Sequence, residues 1–143
     1  MGKTRRGAAT KLMAIADRNG LPVSATIASG ERNEVRLVDA AIAERFTTEK
    51  PDKLIGDKAY DSAKLDEELA VQDIQLIAPK RSNHYARVQD GRALRRYRRR
   101  WKVERLFAWL LRSRRISTRY ESKPDNYLGF VHLGCLIILL RHL

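Results

Sequence analysis

The sequence predicts an α/β fold, a mixed sheet flanked by helices and missing its first strand. Three observations lead there. Two apolar strands flank a tight turn near the start, short apolar strands and helical repeats then alternate, and two long helical stretches close the chain.

Residues 1–9 are basic and small, and read as a flexible lead-in to one compact domain over 10–143. Thr10–Ala16 and Leu21–Ala28 flank Asp17-Arg18-Asn19-Gly20, a turn cluster of hairpin type. Asn33 is placed to cap a helix in which Val35, Val38, Ile42 and Phe46 repeat at helical spacing. Pro51-Asp52 breaks that helix, and Lys53-Leu54-Ile55-Gly56-Asp57 is a short strand ending on an acid. Asp61 can cap a helix running through Leu65 and Leu69, and Ile74–Ala78 is another strand, stopped by Pro79. A polar, irregular stretch over 80–91 precedes helices over roughly 91–112 and 124–141. Four short strands that start from a loose basic segment make a sheet with one strand absent.

Charge and cysteine usage narrow the class of function. The formal net charge is +12 and the pI about 10.3, which fits a polyanionic partner, because each Lys or Arg set on a phosphate releases a condensed counterion. An acidic membrane surface or ribosomal RNA would attract the same charge. Cys135 is the single cysteine and lies in an apolar run, as a buried structural thiol in a reducing, cytoplasmic compartment. The basic start lacks the apolar stretch of a secretory signal. Leu128–Leu140 is interrupted by His132 and falls short of the roughly 18 residues of a membrane span. His84, His132 and His142 have no zinc-like spacing, and neither a glycine-rich phosphate loop nor a Ser/His/Asp arrangement is present.

The stretch from Arg96 to Arg112 is the most informative. At about 100° per residue, Tyr97, Trp101, Val103, Phe107, Ala108 and Leu111 share one arc, while Arg98, Lys102 and Arg105 fall opposite. Glu104 and Arg100 sit within the apolar arc, one turn apart. A carboxylate on a core-facing stripe costs several kcal/mol unless it is paired or holds a metal. An Arg100–Glu104 ion pair at i, i+4 is the plain alternative. Asp57, at the carboxyl end of a strand, changes the balance, since open α/β sheets place ligands there and Gly56 allows close approach of the backbone. A helix-borne Glu and a strand-end Asp supply hard oxygen ligands suited to Mg²⁺ or Mn²⁺. The other acids have local duties: Asp17 makes the turn, Asp61 caps a helix, and Asp39, Asp66, Glu67 and Glu68 lie on solvated helix faces.

Gly56-Asp57-Lys58-Ala59-Tyr60-Asp61 resembles the second-acid motif of DDE transposases of bacterial insertion sequences. Tyr97, Arg100 and Glu104 are similar to that family's Tyr–Arg–Glu signature, and the Gly20-Leu21-Pro22 hairpin, the Leu76–Pro79 strand and the Arg-Arg-Tyr-Arg-Arg-Arg-Trp lead extend the likeness from about Gly2 onward. The resemblance implies an RNase H-like fold in which three acids hold two divalent metals, Mg²⁺ or Mn²⁺, for DNA strand cleavage and strand transfer at insertion-sequence ends. It makes Asp57 and Glu104 the second and third acids, catalytic and metal-binding. It sets Arg100 and Tyr97 on DNA, with Arg98, Lys102, Arg105 and Arg112 as further DNA contacts. The signature's last basic residue falls at Leu111 here, with Arg112 beside it.

The family's first acid lies on a strand upstream of the hairpin, and nothing from Met1 to Ala9 is acidic. The expectation is therefore chemistry incomplete in this chain alone, completed by an upstream transposase portion or lost in a decayed reading frame. The alternative is a non-catalytic DNA-binding fragment that acts as a regulator or pairs with full-length enzyme as a homo-oligomer. Both place the chain on DNA in the bacterial cytoplasm, at the nucleoid and away from membranes.

Overall fold

The computed structural model describes residues 2–4, 7–80 and 95–143. The chain is α/β and divides into two compact units, Met1–Thr47 with Lys102–Leu143, and Thr48–Trp101. Each has its own small sheet, so the antiparallel and parallel pairings expected of one mixed sheet are divided between two.

In the first unit, strands β1 (Gly2–Thr4), β2 (Gly7–Ala16) and β3 (Pro22–Ser29) pair antiparallel in that order. β2 starts earlier than Thr10, and Gly2 to Thr4 pair with Ala9 to Gly7, residues expected as lead-in. The hairpin register sets Leu12 against Ile27 and Ala14 against Ala25, and it shifts between Ile15 and Ala16. Asp17 makes the turn as expected: its Oδ1 accepts the backbone N–H groups of Asn19 and Leu21, each at 2.8 Å. Gly20 completes the turn at φ 83°, a conformation that a side chain would strain.

Asn33 caps the following helical segment, its side chain accepting from Val35 N at 3.1 Å. That segment is a 3₁₀ turn over Glu34–Leu37 followed by α1 (Val38–Ala43), shorter than the repeat through Phe46 suggested. Ser24, fully buried on β3, donates its hydroxyl to the carbonyl of Ala41 at 2.5 Å and so ties α1 to the sheet. Phe46 lies beyond the helix, where its N–H reaches Val23 O at 2.8 Å.

Three helices complete this unit: α3 (Trp101–Leu110), which belongs to it from Lys102 onward, α4 (Arg114–Ser117) and α5 (Pro124–Leu140). Pro124 opens α5 at a position where its missing N–H costs nothing. Ala25, Leu106, Leu110, Ile116, Tyr127, Val131, Cys135 and Ile138 form the core, with Leu12, Ala14 and Ile27 packed against it. The sheet face is thus covered by all three helices.

The long helix expected over roughly 91–112 is shorter. Residues 95–97 are helical, 98–100 form a turn, and α3 begins at Trp101; 91–94, like most of the 80–91 stretch, lie outside the described residues. Its buried stripe is Leu106 and Leu110, roughly 200–240° around the helix from Glu104 at about 100° per residue. The expectation that Glu104 faces the core is therefore corrected: Glu104, Trp101, Ala108 and Leu111 are exposed. This helix carries apolar residues on two sides, and the pair at i, i+4 took the core.

In the second unit, β4 (Lys53–Ile55) and β5 (Gln75–Ile77) pair parallel, Lys53 beside Gln75 and Ile55 beside Ile77. Between them runs α2 (Ala63–Ala70), which buries Leu65 and Leu69; Ile74, Ile77 and Ala78 are buried beside it in the sequence that follows. Ser62, not Asp61, caps α2, its hydroxyl accepting from Leu65 N at 3.5 Å. Asp61 instead ends a preceding 3₁₀ turn, Lys58–Tyr60, which displaces the helix start by one residue. Among the described residues no helix is long and apolar enough to cross a membrane.

Candidate functional site

The parallel pair ends on Asp57. Its backbone is extended, and its Oδ1 accepts the N–H of Ala59 at 2.7 Å, capping the 3₁₀ turn that follows. The cap restrains the side chain through one oxygen. The other, Oδ2, lies 3.8 Å from Nη1 of Arg100, an ion-pair separation longer than a hydrogen bond, with both side chains about two-fifths exposed at 38% and 41%. Arg100 also lies over the ring of Tyr97, 5.7 Å from its centroid. The second unit thus brings together Asp57, Arg100 and Tyr97, with Arg98 exposed in the same turn.

Gly56 has a close neighbour other than a ligand. A Cβ built there would stand 2.9 Å from Cδ2 of Tyr60, so this glycine admits the tyrosine ring next to the acid.

The first unit holds the other candidates. Glu104 is exposed in the first turn of α3, where the partial positive charge of a helix N-terminus favours a carboxylate. Lys102 and Arg105 do not lie on an open opposite face. Lys102 Nζ donates to the carbonyl of Arg18, Arg105 Nη2 donates to that of Asn19, and the Arg105 guanidinium stacks over Trp109 at 4.8 Å. Both half-buried stems lie against the hairpin turn, with their charged heads on its carbonyls. Leu111 and Arg112 are both exposed just past the end of α3.

The two acids belong to different units, and among the described residues no three His, Cys, Asp or Glu side chains gather closely enough to hold an ion. Their donor chemistry still fits a hard divalent cation. Carboxylate oxygens are the preferred ligands of Mg²⁺ and Mn²⁺, and the strand-end oxygen of Asp57 is partly exposed, with the long contact to Arg100 beside it.

The remaining nucleophile and imidazoles serve the fold. Burial pushes the Cys135 thiol up to about 11, so it stays protonated near neutrality and reads as structural. His132 Nε2 lies 2.9 Å from the Ala25 carbonyl and His142 Nδ1 2.8 Å from that of Ile138; His84 lies outside the described residues. Arg119, which the sequence shows only as the end of the Arg112–Arg119 basic cluster, binds Thr10 Oγ1, Glu121 O and Ser122 O. Its signal was an arginine set among polar residues in a short link between two helices.

Residues 2–140 match the family described as the transposase DDE domain. The chain is 32% identical over 132 residues to a putative transposase for insertion sequence element IS402 of Burkholderia cepacia, a match covering 87% of this chain and 59% of that protein. It is 30% identical over 132 residues to a putative transposase for insertion sequence element IS6501 of Brucella ovis, covering 92% of this chain and 98% of that protein. Against the first relative, the chain therefore spans under two thirds of the length. No solved structure matches it.

Proposed function

The chain belongs to the transposase DDE domain family, and from that premise we propose that it forms part of the catalytic domain of an insertion-sequence transposase. In this reading it acts in DNA strand cleavage at the element's ends and strand transfer into a target. The observation that carries it is Asp57 at the carboxyl end of a parallel strand, facing Arg100 beside Tyr97. Strand–helix–strand order in one unit and an antiparallel hairpin in the other support an RNase H-like arrangement.

The residues divide the work. Arg100 offers a planar fork of N–H groups that matches two phosphate oxygens, and Tyr97 gives that guanidinium an aromatic surface. A scissile phosphate taken up by Arg100 would draw the cation away from Asp57. Asp57 would keep its restrained side chain through the Ala59 bond, while Glu104 supplies the second carboxylate. Asp57 and Glu104 are each candidate ligands, and Mg²⁺ or Mn²⁺ would supply Lewis-acid activation of water or a 3′-hydroxyl and stabilise the leaving oxygen. The resemblance implies a third carboxylate, and in this reading it joins the set from another portion of the enzyme or from another chain. The place of action is then the bacterial nucleoid.

The test uses a version extended to carry the third acid and a supercoiled plasmid bearing the element's ends. Nicking that depends on Mg²⁺ or Mn²⁺ is expected, and Glu104→Gln should abolish it. Unchanged nicking in that variant would sink the proposal. The net charge of +12 favours a second reading, a DNA-binding fragment that occupies element ends without cutting. Salt-dependent binding, with no nicking even by the extended version, would favour this one.

A further inference from the structure

We propose that the outward face of α5 is the interface of a two-fold dimer, on which α5 of a second copy of this chain packs antiparallel with Leu133 at the symmetry axis. This goes beyond the DNA reading and holds whether or not the chain cuts.

α5 has two apolar faces. Between Asp125 and Arg141 its sequence contains no Asp, Glu, Lys or Arg, and a helix that is apolar all round is one that is covered all round. Only one side is covered within the chain. Tyr127, Val131, Cys135 and Ile138 lie in the core. At about 100° per residue, Asn126, Gly129, Leu133, Leu136, Ile137 and Leu140 share an arc on the opposite side. All six are exposed, Leu133 and Leu136 at 50%, Ile137 at 43% and Leu140 at 59%. Asn126, Gly129, Leu133, Leu136 and Leu140 follow one another in steps of three and four residues, the spacing at which one helix seam meets another.

The occupant follows from self-complementarity. A two-fold axis through Leu133 sets residues at equal steps before and after it against each other, i on one copy with j on the other and j with i. Gly129 then meets Ile137. A Cβ on Gly129 would have nothing within 4 Å, so the branched side chain of Ile137 has a notch to fill. Leu136 meets the half-buried Phe130, and the polar Asn126 falls at the rim. Asp125, in the first turn of one helix, comes level with Arg141 at the end of the other, and the two antiparallel helix dipoles attract. A parallel pair would instead set Gly129 on Gly129, with a gap, and Asp125 beside Asp125.

The area suits a reversible dimer. With Leu143, fully exposed past the helix, the bare aliphatic surface is on the order of 500 Å² per copy, more than the scattered apolar side chains normal on a monomer. Two such faces bury on the order of 1,000 Å², the size of a small specific interface. A lipid layer fits less well, because the helix carries no Lys or Arg along the length of this face.

Sedimentation equilibrium of the full chain should show a reversible monomer–dimer equilibrium with a Kd on the order of 10 µM. Leu133→Lys, which sets two ammonium groups against each other at the axis, should weaken it about 100-fold. Val71→Lys, at an 87% exposed aliphatic of the other unit, should leave the Kd within about two-fold. Disulfide trapping in a Cys135→Ser background reads the register without relying on the lysine variant. Leu133→Cys should cross-link to itself, and Gly129→Cys should cross-link to Ile137→Cys in a mixture but not to itself. A monomer at every concentration, assemblies that grow past the dimer, an unchanged Kd in Leu133→Lys, or self-linking of Gly129→Cys overturns the proposal. So does a monomer that binds phosphatidylserine vesicles through this face, which would assign it to lipid. Each of these outcomes leaves the transposase reading as it stands.

Discussion

The carboxylate of Asp57 accepts the backbone N–H of Ala59 at 2.7 Å, so the acid assigned to chemistry is also the cap of the turn that follows it. The two duties use different properties. A cap needs an acceptor oxygen; a metal ligand and a partner for Arg100 need charge.

Asp57→Asn should therefore leave stability nearly unchanged, within about 1 kcal/mol, because Asn caps as well as Asp and an exposed ion pair contributes little. Asp57→Ala loses the cap as well and should cost about 0.5–2 kcal/mol. Urea unfolding separates the two, and nicking by the extended enzyme should be lost in both. Equal stability of the Asn and Ala variants would refute the capping role.

Arg119 ties the α4–α5 link to β2 through Thr10, Glu121 and Ser122. Arg119→Ala should destabilise the chain by about 1.5–3 kcal/mol, the range for hydrogen bonds to a charged group. Lysine should recover only part of the loss, since a single ammonium cannot reproduce a planar fork reaching three acceptors. Chemical denaturation of the two variants checks the order; full recovery by lysine would show that charge alone matters.

Cys135 gives a pH prediction with a definite sign. Its folded-state thiol is raised from 9.0 to about 11 by burial, so between these values the unfolded chain loses a proton that the folded chain keeps. The stabilising contribution is complete below about 9 and disappears as pH rises toward 11. Cys135→Ser should lose that decline, and in the parent iodoacetamide should label the thiol slowly at pH 8 until denaturant is added. Rapid labelling of native protein at that pH would contradict the burial.

Local chemistry was legible where a residue's role depends on its neighbours in sequence. Asp17 in the hairpin turn, Asn33 as a cap and Cys135 in an apolar run were readable for that reason. The position of Asp57 at a strand end was also legible, because a strand boundary is marked by its own apolar run and glycine. The phase of α3 was not. Its apolar residues cover two sides, so Leu106 and Leu110 could be distinguished from the arc around Glu104 only through the β3 and α5 side chains that meet them. The same gap hid the use of Lys102 and Arg105 on the turn carbonyls of Arg18 and Asn19, a pairing set by tertiary approach. The 3₁₀ turn over Lys58–Tyr60 moved the α2 cap by one residue, from Asp61 to Ser62.

The first unit is assembled from both ends of the chain, with Thr48–Trp101 intervening. During synthesis its hairpin leaves the ribosome long before Leu106, Ile116, Val131 and Cys135 exist to cover Ala25. A small sheet with an uncovered apolar face has little stability by itself, so the unit must wait for α5. A product cut short by premature termination or by a protease acting on α5 would leave an uncovered sheet. Synthesis through α5 thus acts as a checkpoint on whether the segment carrying Glu104 is built into a folded unit at all.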